Sequence, residues 1–423
     1  MRVIGIADAN NFYVSCLRSF NPKLIGQPVI ALSNNDGCVV ARSNEAKKLG
    51  IKMGQPLYQI QKKVADYNVQ VFSSNYELFG DMSRRVFGTM QRFVGEFFPY
   101  SVDEAFFAFD SYEHIDPGVE EFCRFIRQTV DQWTRIPISI GLAETMTLAK
   151  VANKWAKSHP ECQGVFWLDT PEKRDEILDQ FPIEDLWGVG RQYQERLKRH
   201  GIKTALQLSR MPHDWIQQFM TVEGLRLIYE LQGIPCRSLD TEPLHKKSIC
   251  VAPSFGRKVT QYSTVYEAMA TYLARAAEKL RRHGSAAGVV TVFLHTNRFD
   301  RIGPHHYGSQ SVALPHPSSS TTELLNYAEP LLKAIWRDGY DFQKVGVILN
   351  EIVPVEHQQK LIFADSPDPR YNVLSQVVDR LNQKHGRDKL RVAAQGYDKS
   401  WKIKQRYQSP CYTTKWSDIL TVK

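Results

Sequence analysis

Residues 101–109 read Ser-Val-Asp-Glu-Ala-Phe-Phe-Ala-Phe, an aromatic, apolar run that carries two adjacent carboxylates. Such a run predicts a buried β-strand over Ser101–Phe109, with Asp103 and Glu104 inside it. A second apolar run, Val3–Ala7, predicts another buried strand that ends at Asp8. Carboxylates on buried strands cannot face an apolar core unpaired, so we expect something cationic to meet them.

Oxygen ligands are those that Mg²⁺ prefers in proteins. Asp8, Asp103 and Glu104, with the backbone carbonyl of Ala9, would suit two Mg²⁺ ions that activate a 3′-hydroxyl and stabilise the charge leaving on pyrophosphate. The alternative is that these are ordinary strand-end carboxylates, and for each residue alone that alternative is favoured. An Asp followed by aromatic residues, together with an Asp-Glu pair in a β segment, favours the metal site.

Length and composition describe a multidomain globular protein. The chain has 423 residues, which at roughly 150 residues per domain predicts about three domains. With 43% hydrophobic and 23% charged residues, it is neither a single small binding module nor a disordered chain. No apolar run approaches the roughly 18 residues of a membrane span. Seven cysteines without a C-x-x-C pair fit reduced thiols, so we expect a cytoplasmic protein with no membrane partner.

The excess positive charge lies in the C-terminal part of the chain. Residues 1–250 hold 30 basic and 30 acidic residues, whereas residues 251–423 hold 24 and 15, and 24 minus 15 accounts for the whole net charge of +9. Such an excess is either a solvated surface or an electrostatic footprint for nucleic acid. Charge alone leaves these two interpretations about even.

The order of elements predicts a mixed α and β protein. We predict a small hairpin unit after residue 12, a helical segment from Pro182 to about Cys236, and from Lys247 the order β-α-β-β-α-β of a ferredoxin-like unit. Within the hairpin unit, Pro28–Leu32 and Val39–Ala41 are expected to pair across the turn Asn34–Gly37. Further predictions are a strand Pro137–Leu142, a basic helix Thr147–Lys157, a helix near Val373–Leu381, and a basic, aromatic tail from Gly396.

Several motifs together resemble those of the Y-family translesion DNA polymerases. They are Asp8-Ala9-Asn10-Asn11-Phe12-Tyr13, Ser101-Val102-Asp103-Glu104-Ala105-Phe106, Ser33–Arg42, Ser73–Leu78, Asp185–Gly190 and Tyr412-Thr413-Thr414. The resemblance extends over nearly the whole chain. It implies an α+β multidomain right-handed polymerase, with palm (1–11 and 82–180), fingers (12–81), helical thumb (181–242), ferredoxin-like little finger (243–352) and a clamp-binding loop with a C-terminal tail (353–423).

The same resemblance implies a nucleotide site. Asp8, Asp103 and Glu104 would be the metal ligands. Phe12 and Tyr13 would lie at the incoming nucleotide, where the Tyr13 ring fills the space that a ribose 2′-hydroxyl needs. Lys47 and Lys157 would reach the triphosphate as point charges. The alternatives are a packed core tyrosine and two solvated lysines. Many family members have Tyr and Arg where this chain has Asn44 and Lys47.

Two further segments are expected to hold the DNA backbone. Gly188-Val189-Gly190 resembles the turn of a helix-hairpin-helix, whose N–H groups can bind a phosphate, although a G-x-G alone is usually just a turn. Arg257 and Lys258 follow the first strand of the ferredoxin-like unit and would lie along the duplex. Direct reading of bases is not expected, because a copying enzyme must accept every template.

A short motif after the ferredoxin-like unit predicts a sliding-clamp contact. Gln358-Gln359-Lys360-Leu361-Ile362-Phe363 fits the pattern Q-x-x-L-x-F, with Gln358, Leu361 and Phe363 as the contact residues. The alternative is that these apolar side chains pack against a neighbouring domain of the same chain.

The function expected is error-prone, template-directed DNA synthesis past lesions in the SOS DNA damage response, without proofreading. Its substrates would be primer-template DNA and dNTPs, and the resemblance also implies a UmuD-type dimer and a RecA filament as partners. One alternative is a nucleotidyl cyclase with a similar palm, which the helical turn segment and the basic C-terminal part disfavour. Another is a DNA-bound repair scaffold without catalysis, which the three carboxylates disfavour.

Overall fold

The computed structural model of the chain describes residues 2–110, 118–239, 246–300, 302–357 and 369–421. These residues fall into two compact units. The first unit comprises 1–33, 38–243 and 407–423, and the second comprises 34–37 and 244–406. The segments expected to be palm, fingers and thumb thus lie almost entirely in the first unit.

The first unit contains eight strands within the described ranges, in two sheets. They are β1 (Val3–Ala9), β2 (Val29–Leu32), β3 (Val39–Arg42), β4 (Gln70–Ser73), β5 (Glu96–Pro99), β6 (Glu104–Phe109), β7 (Ile138–Ala143) and β8 (Val165–Trp167). The larger sheet has the order β5-β6-β1-β7-β8, and the smaller has the order β3-β2-β4. The smaller sheet confirms the predicted hairpin, since β2 and β3 pair antiparallel with Ala31 opposite Ala41.

Most of the described α-helices of the first unit pack on the two faces of the larger sheet, and two of them pack on the smaller sheet. They are α1 (Phe12–Phe20), α2 (Asn44–Lys48), α3 (Leu57–Asp66), α4 (Tyr76–Met90), α5 (Val119–Thr134), α6 (Met146–Ser158), α7 (Pro171–Gln180), α8 (Arg191–Arg199), α9 (Ala205–Ser209) and α10 (His213–Leu231). Strand β1 alternates between two cores, with Val3 and Ala7 in one and Ile4 and Ile6 in the other. Burial on both faces explains why this segment is a continuous apolar run.

Helix α6 lies against β7 at very short range. A Cβ added to Gly141 on β7 would lie 2.1 Å from the backbone nitrogen of Asn153 on α6. Only glycine tolerates so close an approach. The N-terminus of the helix is fixed by Thr145, whose side chain accepts a hydrogen bond from Leu148 N. This packing determines where the lysines of α6 lie relative to the ends of the strands.

The prediction of one strand over Ser101–Phe109 is wrong at its beginning. Strand β6 starts at Glu104 and forms an antiparallel hairpin with β5, so Asp103 lies in the connecting turn. The cause is Ser101, whose hydroxyl oxygen accepts hydrogen bonds from the backbone N–H of Asp103 and Glu104 at 3.2 and 3.0 Å. Such a serine turn competes with strand pairing.

The second unit has the predicted β-α-β-β-α-β order, with its first strand broken in two. Its described elements are β9 (Ser248–Val251), β10 (Ser254–Val259), α11 (Tyr262–Arg282), β11 (Ser285–Thr296), β12 (Tyr307–Ser318), α12 (Thr321–Ile335), β13 (Phe342–Pro354) and α13 (Pro369–His385). The sheet order is β10-β13-β11-β12, and β9 also pairs with β13. Apolar residues of α11 and α12 cover one face of this sheet.

The C-terminal tail is divided between the two units. In the second unit, Trp401 is buried and its ring lies edge-on to Tyr272, 5.3 Å between centres. In the first unit, Tyr407 O accepts a hydrogen bond from Ser73 N at 2.9 Å, and Tyr412 stacks on Phe20 at 4.8 Å. Among the described helices none has the length and apolarity that a membrane crossing needs.

Candidate active site

Strand pairing in the first unit brings the three predicted carboxylates together. Asp8 and Glu104 are direct partners in the β1–β6 register, and Ala9 N donates a hydrogen bond to Asp103 O at 2.8 Å. The three residues therefore lie at one end of the sheet, two on strands and Asp103 in the adjoining turn. The Ser101 hydroxyl also donates to Asp103 Oδ1 at 2.6 Å, which fixes the direction of that carboxylate.

Two lysines of α6 face this group of carboxylates. Lys157 Nζ lies 2.5 Å from Asp8 Oδ2, and Lys150 Nζ donates to both Glu104 oxygens at 2.9 and 3.1 Å. They are seven residues apart, two turns of the helix, and so project from the same face. The helix thus supplies two positive charges to three negative ones.

Burial dominates the electrostatics of Asp8. Loss of solvent raises the pKa of Asp8 to about 6, Lys157 lowers it, and the charges of Glu104 and Asp103 raise it further. Burial disfavours the ionised form of a carboxylate, and a cation close to it favours that form. A further cation at this site would therefore stabilise ionised Asp8.

The donor set fits hard divalent cations. Across the described residues, no three His, Cys, Asp or Glu side chains converge as a ready-made metal site, because the Asp8 and Glu104 carboxylates turn toward their lysines. Even so, Asp8 lies directly across the strand pair from Glu104, and Asp103 lies in the adjoining turn. Oxygen-only donors of this kind suit Mg²⁺.

A cavity of about 420 Å³ opens beside these carboxylates. Among the residues that line it are Asp8, Asp103, Tyr13, Lys47 and Arg42. This volume is within the range of small-molecule sites. The cavity joins two of the predicted metal ligands to residues expected at the sugar and at the triphosphate.

Tyr13 is held in place by aromatic neighbours. Its ring stacks on Phe79 at 4.1 Å between centres and meets Tyr76 edge-on at 6.3 Å. Burial raises the pKa of Tyr13 to about 12, so the hydroxyl stays neutral at physiological pH. Phe12 is only 3% exposed and belongs mainly to the core, although it also borders the cavity.

Positive charge is concentrated on the side of the cavity that faces α2. Burial lowers the pKa of Lys47, and the charges of Arg42 and Lys157 lower it further. Arg42 Nε is buried and has no hydrogen-bond partner among the described residues. Lys47 also borders a second cavity of about 290 Å³, which Lys157 lines. Three cations around adjoining cavities form a site suited to a polyanion.

The predicted phosphate-binding turn precedes α8. Gly188 has a φ of +94°, a conformation that favours glycine, and Gly190 is the N-cap of α8 without a side-chain cap. The Val189 side chain is 8% exposed and packs inward, so only backbone atoms of the turn face outward. A short 3₁₀ helix, Ile183–Asp185, takes the place of the first helix of the expected pair.

The two basic residues predicted at the DNA in the second unit differ from each other. Arg257 is exposed on β10. Lys258 Nζ donates to Asp300 at 2.8 Å and to Asp341 at 3.3 Å, and these hydrogen bonds raise the pKa of Lys258. Its charge is therefore locally compensated. The clamp motif with Gln358, Leu361 and Phe363 lies outside the described residues.

Solved structures of similar fold are DNA polymerases. A chimera of the Y-family DNA polymerases Dbh and Dpo4 matches with a TM-score of 0.67 at 20% identity, covering 84% of this chain and 99% of that one. An insertion ternary complex of Dbh DNA polymerase matches with a TM-score of 0.54 at 19% identity, with the same coverage. These likenesses confirm the predicted polymerase fold.

Sequence comparison gives the family. The impB/mucB/samB family model matches residues 7–154, the model of that family's C-terminal domain matches 246–361, and a domain of unknown function (DUF4113) matches 372–422. Protein UmuC of Salmonella typhimurium is 39% identical over 423 residues, covering 100% of both chains. The chain belongs to the impB/mucB/samB family of Y-family DNA polymerases. Protein ImpB of Salmonella typhimurium, another relative in this family, is also 39% identical and covers 99% of both chains.

Three residues at this family site were not singled out by the sequence analysis. Arg42 lies at the end of β3 on the cavity, Tyr76 touches the Tyr13 ring, and Lys150 holds Glu104. The position of Lys150, seven residues before Lys157 on a predicted helix, was the available signal for a second lysine on that face. Arg42 and Tyr76 lie in the motifs Ser33–Arg42 and Ser73–Leu78, which indicated the family but gave neither residue a role.

Proposed function

We propose that this protein carries out error-prone, template-directed DNA synthesis past damaged bases in the SOS response, by two-metal nucleotidyl transfer and without proofreading. The supporting observation is the cavity that joins Asp8 and Asp103 to Tyr13 and Lys47. Membership of the Y family gives the reaction class, a DNA-directed DNA polymerase.

Asp8, Asp103, Glu104 and the Ala9 carbonyl would hold two Mg²⁺ ions. When bound, they supply Lewis acidity at the primer 3′-hydroxyl and at the α-phosphate and the leaving pyrophosphate. The part of this chain is to place the carboxylates. Strand register fixes Asp8 opposite Glu104, and the Ser101 turn fixes Asp103. Lys157 compensates the Asp8 charge until the ions are present.

The remaining cavity residues would bind the incoming dNTP. Lys47, Arg42 and Lys157 line the two adjoining cavities and would provide positive charge for the triphosphate. The flat face that Tyr13 presents, held by Phe79, would exclude a 2′-hydroxyl by contact. Phe12 supports this wall from the core.

The proposal also includes DNA and protein partners. The backbone of Gly188–Gly190 and the side chain of Arg257 would contact phosphates of the primer-template, with Lys258 as a weaker candidate because two aspartates compensate its charge. Gln358, Leu361 and Phe363 would bind a sliding clamp. A UmuD-type dimer and a RecA filament are proposed as partners from the family resemblance, and the cytoplasm, at the nucleoid, as the place of action.

Family membership supports the polymerase over its alternatives. A nucleotidyl cyclase would need neither a primer-template site nor the second unit, and the full-length similarity to UmuC covers both units. A non-catalytic scaffold would not need carboxylates and cationic side chains around one cavity, as Asp8, Asp103 and Lys47 are here. Primer extension separates all three.

The test is Asp103→Asn, which keeps the shape of the side chain and removes its charge. We expect extension of a primer on a lesion template to fall at least about a hundredfold, because a metal ligand is lost. Affinity for the same DNA and the thermal midpoint should stay close to wild type. Near-normal extension by this variant would refute the two-metal assignment, and a wild-type protein that binds DNA without extending it would support the scaffold.

A further inference from the structure

Lys150 lies in a cage of three aromatic rings. Its Nζ is 4.6 Å from the ring centre of Tyr100, 5.1 Å from that of Trp187 and 5.7 Å from that of Phe106. The side chain is 15% exposed. A lysine ammonium over aromatic faces at these distances is attracted by the ring quadrupoles, more strongly when it is shielded from water. This lysine is therefore held at a defined position, unlike most surface lysines.

The rings come from two different parts of the first unit. Tyr100 and Phe106 belong to the β5–β6 hairpin that also carries Glu104, and they meet at 5.6 Å. Trp187 comes from the segment just before the Gly188–Gly190 turn, and it meets Tyr100 edge-on at 5.8 Å. Arg237, from the chain after α10, lies 4.5 Å from the Trp187 ring centre. Trp187 thus connects the helical segment to the carboxylate end of the larger sheet.

The caged ammonium holds one catalytic carboxylate at both oxygens. Because the two hydrogen bonds to Glu104 measure 2.9 and 3.1 Å, the carboxylate group cannot rotate without losing one of them. The same positive charge competes with any metal ion for these oxygens. Lys157 makes a single contact with Asp8 and borders the cavity, so it differs from Lys150 in role.

We propose that Lys150 and Trp187 are positioning residues of the polymerase reaction: the aromatic cage, completed by Trp187, fixes the Lys150 ammonium, which sets the orientation of Glu104 and limits its affinity for divalent cations. This inference rests on the proposed two-metal function. It assigns neither residue a contact with DNA, nucleotide or metal.

Two properties separate this role from a structural one. Removing the ammonium should strengthen divalent-ion binding while it weakens catalysis, because the negative charge of Glu104 is no longer compensated and its carboxylate loses its orientation. A purely structural lysine would change stability alone. Loss of the Trp187 ring should act in the same two directions but less strongly, since the charge remains and only its confinement is lost.

The experiment compares Lys150→Met, Trp187→Leu and Trp187→Phe in the full chain. Mn²⁺ binding is measured by calorimetry without DNA or nucleotide, and kcat and KM for dNTP are measured by single-nucleotide extension. For Lys150→Met we expect half-saturating Mn²⁺ to fall at least threefold and kcat to fall at least tenfold, with KM within twofold. Trp187→Leu should have values of half-saturating Mn²⁺ and kcat between those of Lys150→Met and wild type. Trp187→Phe should be closer to wild type than Trp187→Leu in both.

The chain offers matched controls. Lys173 also pairs with a carboxylate, Asp169, and lies over a ring, Phe166 at 4.8 Å, but outside the described cavity. Trp215 stacks on Phe219 at 4.4 Å within α10. Lys173→Met and Trp215→Leu should leave Mn²⁺ binding and kcat unchanged.

Unchanged Mn²⁺ binding in Lys150→Met would overturn the proposal, as would a Trp187→Leu variant that behaves like Trp215→Leu. If Lys150→Met does not fold, the test is the order of wild type, Trp187→Phe and Trp187→Leu in Mn²⁺ binding and in kcat. A wild-type protein that binds Mn²⁺ but extends no primer would instead refute the proposed function, which keeps the two failures distinct.

Discussion

The ring of Tyr13 lies nearly parallel to that of Phe79, with 10° between their planes. A tyrosine hydroxyl is ordinarily neutral at physiological pH, and burial raises the pKa of Tyr13 further, to about 12. We therefore expect the ring, and not the hydroxyl, to exclude ribonucleotides. Tyr13→Ala should raise the efficiency of ribonucleotide incorporation relative to deoxyribonucleotide by about ten- to hundredfold, the range for removal of a steric contact.

The matched control is Tyr13→Phe, which keeps the ring and its stacking partner. This variant should discriminate between the sugars as wild type does. Both ratios come from single-nucleotide insertion with each substrate in turn. An unchanged ratio in Tyr13→Ala would mean that the ring is only part of the core.

Ionised Asp8 lowers the stability of the folded chain, whereas most carboxylates have a lowered pKa and stabilise it when ionised. Its pKa rises from 3.8 to about 6 on folding. Above pH 6 the ionised Asp8 therefore lowers the free energy of unfolding. Asp8→Asn should therefore raise the metal-free unfolding free energy at pH 8 by an amount on the order of 1 kcal/mol, and with it the thermal midpoint. The gain should shrink as pH falls below 6 and disappear below about pH 3, where Asp8 is protonated in both the folded and the unfolded chain. Thermal melts across this pH range measure it, and a constant difference would contradict the assignment.

At the scale of elements, the β5–β6 turn depends on one hydroxyl. Ser101 Oγ accepts from two backbone N–H groups and donates to the Asp103 carboxylate. Ser101→Ala should cost about 1 kcal/mol of unfolding free energy. It should also lower kcat severalfold, because Asp103 loses its orientation. Ser101→Thr keeps the hydroxyl and should restore both, which denaturant melts and primer extension would show.

The same turn shows what the sequence could and could not predict. The apolar run around Phe106 correctly predicted a buried strand, since hydrophobic pattern determines burial. It did not locate the start of the strand, because a serine hydroxyl bonding locally outweighs the pattern for three residues. The expectation that the carboxylates of two apolar strands lie together holds for Asp8 and Glu104, which pair across β1 and β6. The Lys150 cage was missed because one of its rings, Trp187, is 37 residues away along the chain and leaves no local pattern.

At the scale of the whole molecule, the clamp motif gives a prediction that concerns product length. Leu361→Ala with Phe363→Ala should abolish the increase in product length that an added sliding clamp gives, because apolar anchors carry such peptide contacts. Extension without the clamp should be unchanged. Gel analysis with and without clamp measures both. Clamp stimulation that survives the double substitution would contradict the motif, and a parallel loss of both activities would favour intramolecular packing.

The return of residues 407–421 to the first unit bears on how the chain folds during synthesis. The buried amide of Asn75, next to β4, donates to Ser409 O and Ser409 Oγ at 3.1 Å and to Pro410 O at 3.2 Å. On the ribosome, those acceptors emerge more than 330 residues after Asn75, when the whole second unit has already been translated. Until then the amide lacks these acceptors and the tail does not cover it. The first unit begins to be translated before the second but completes its packing only after the second unit has been translated. A nascent chain stalled before residue 407 should therefore be cleaved by proteases near Asn75.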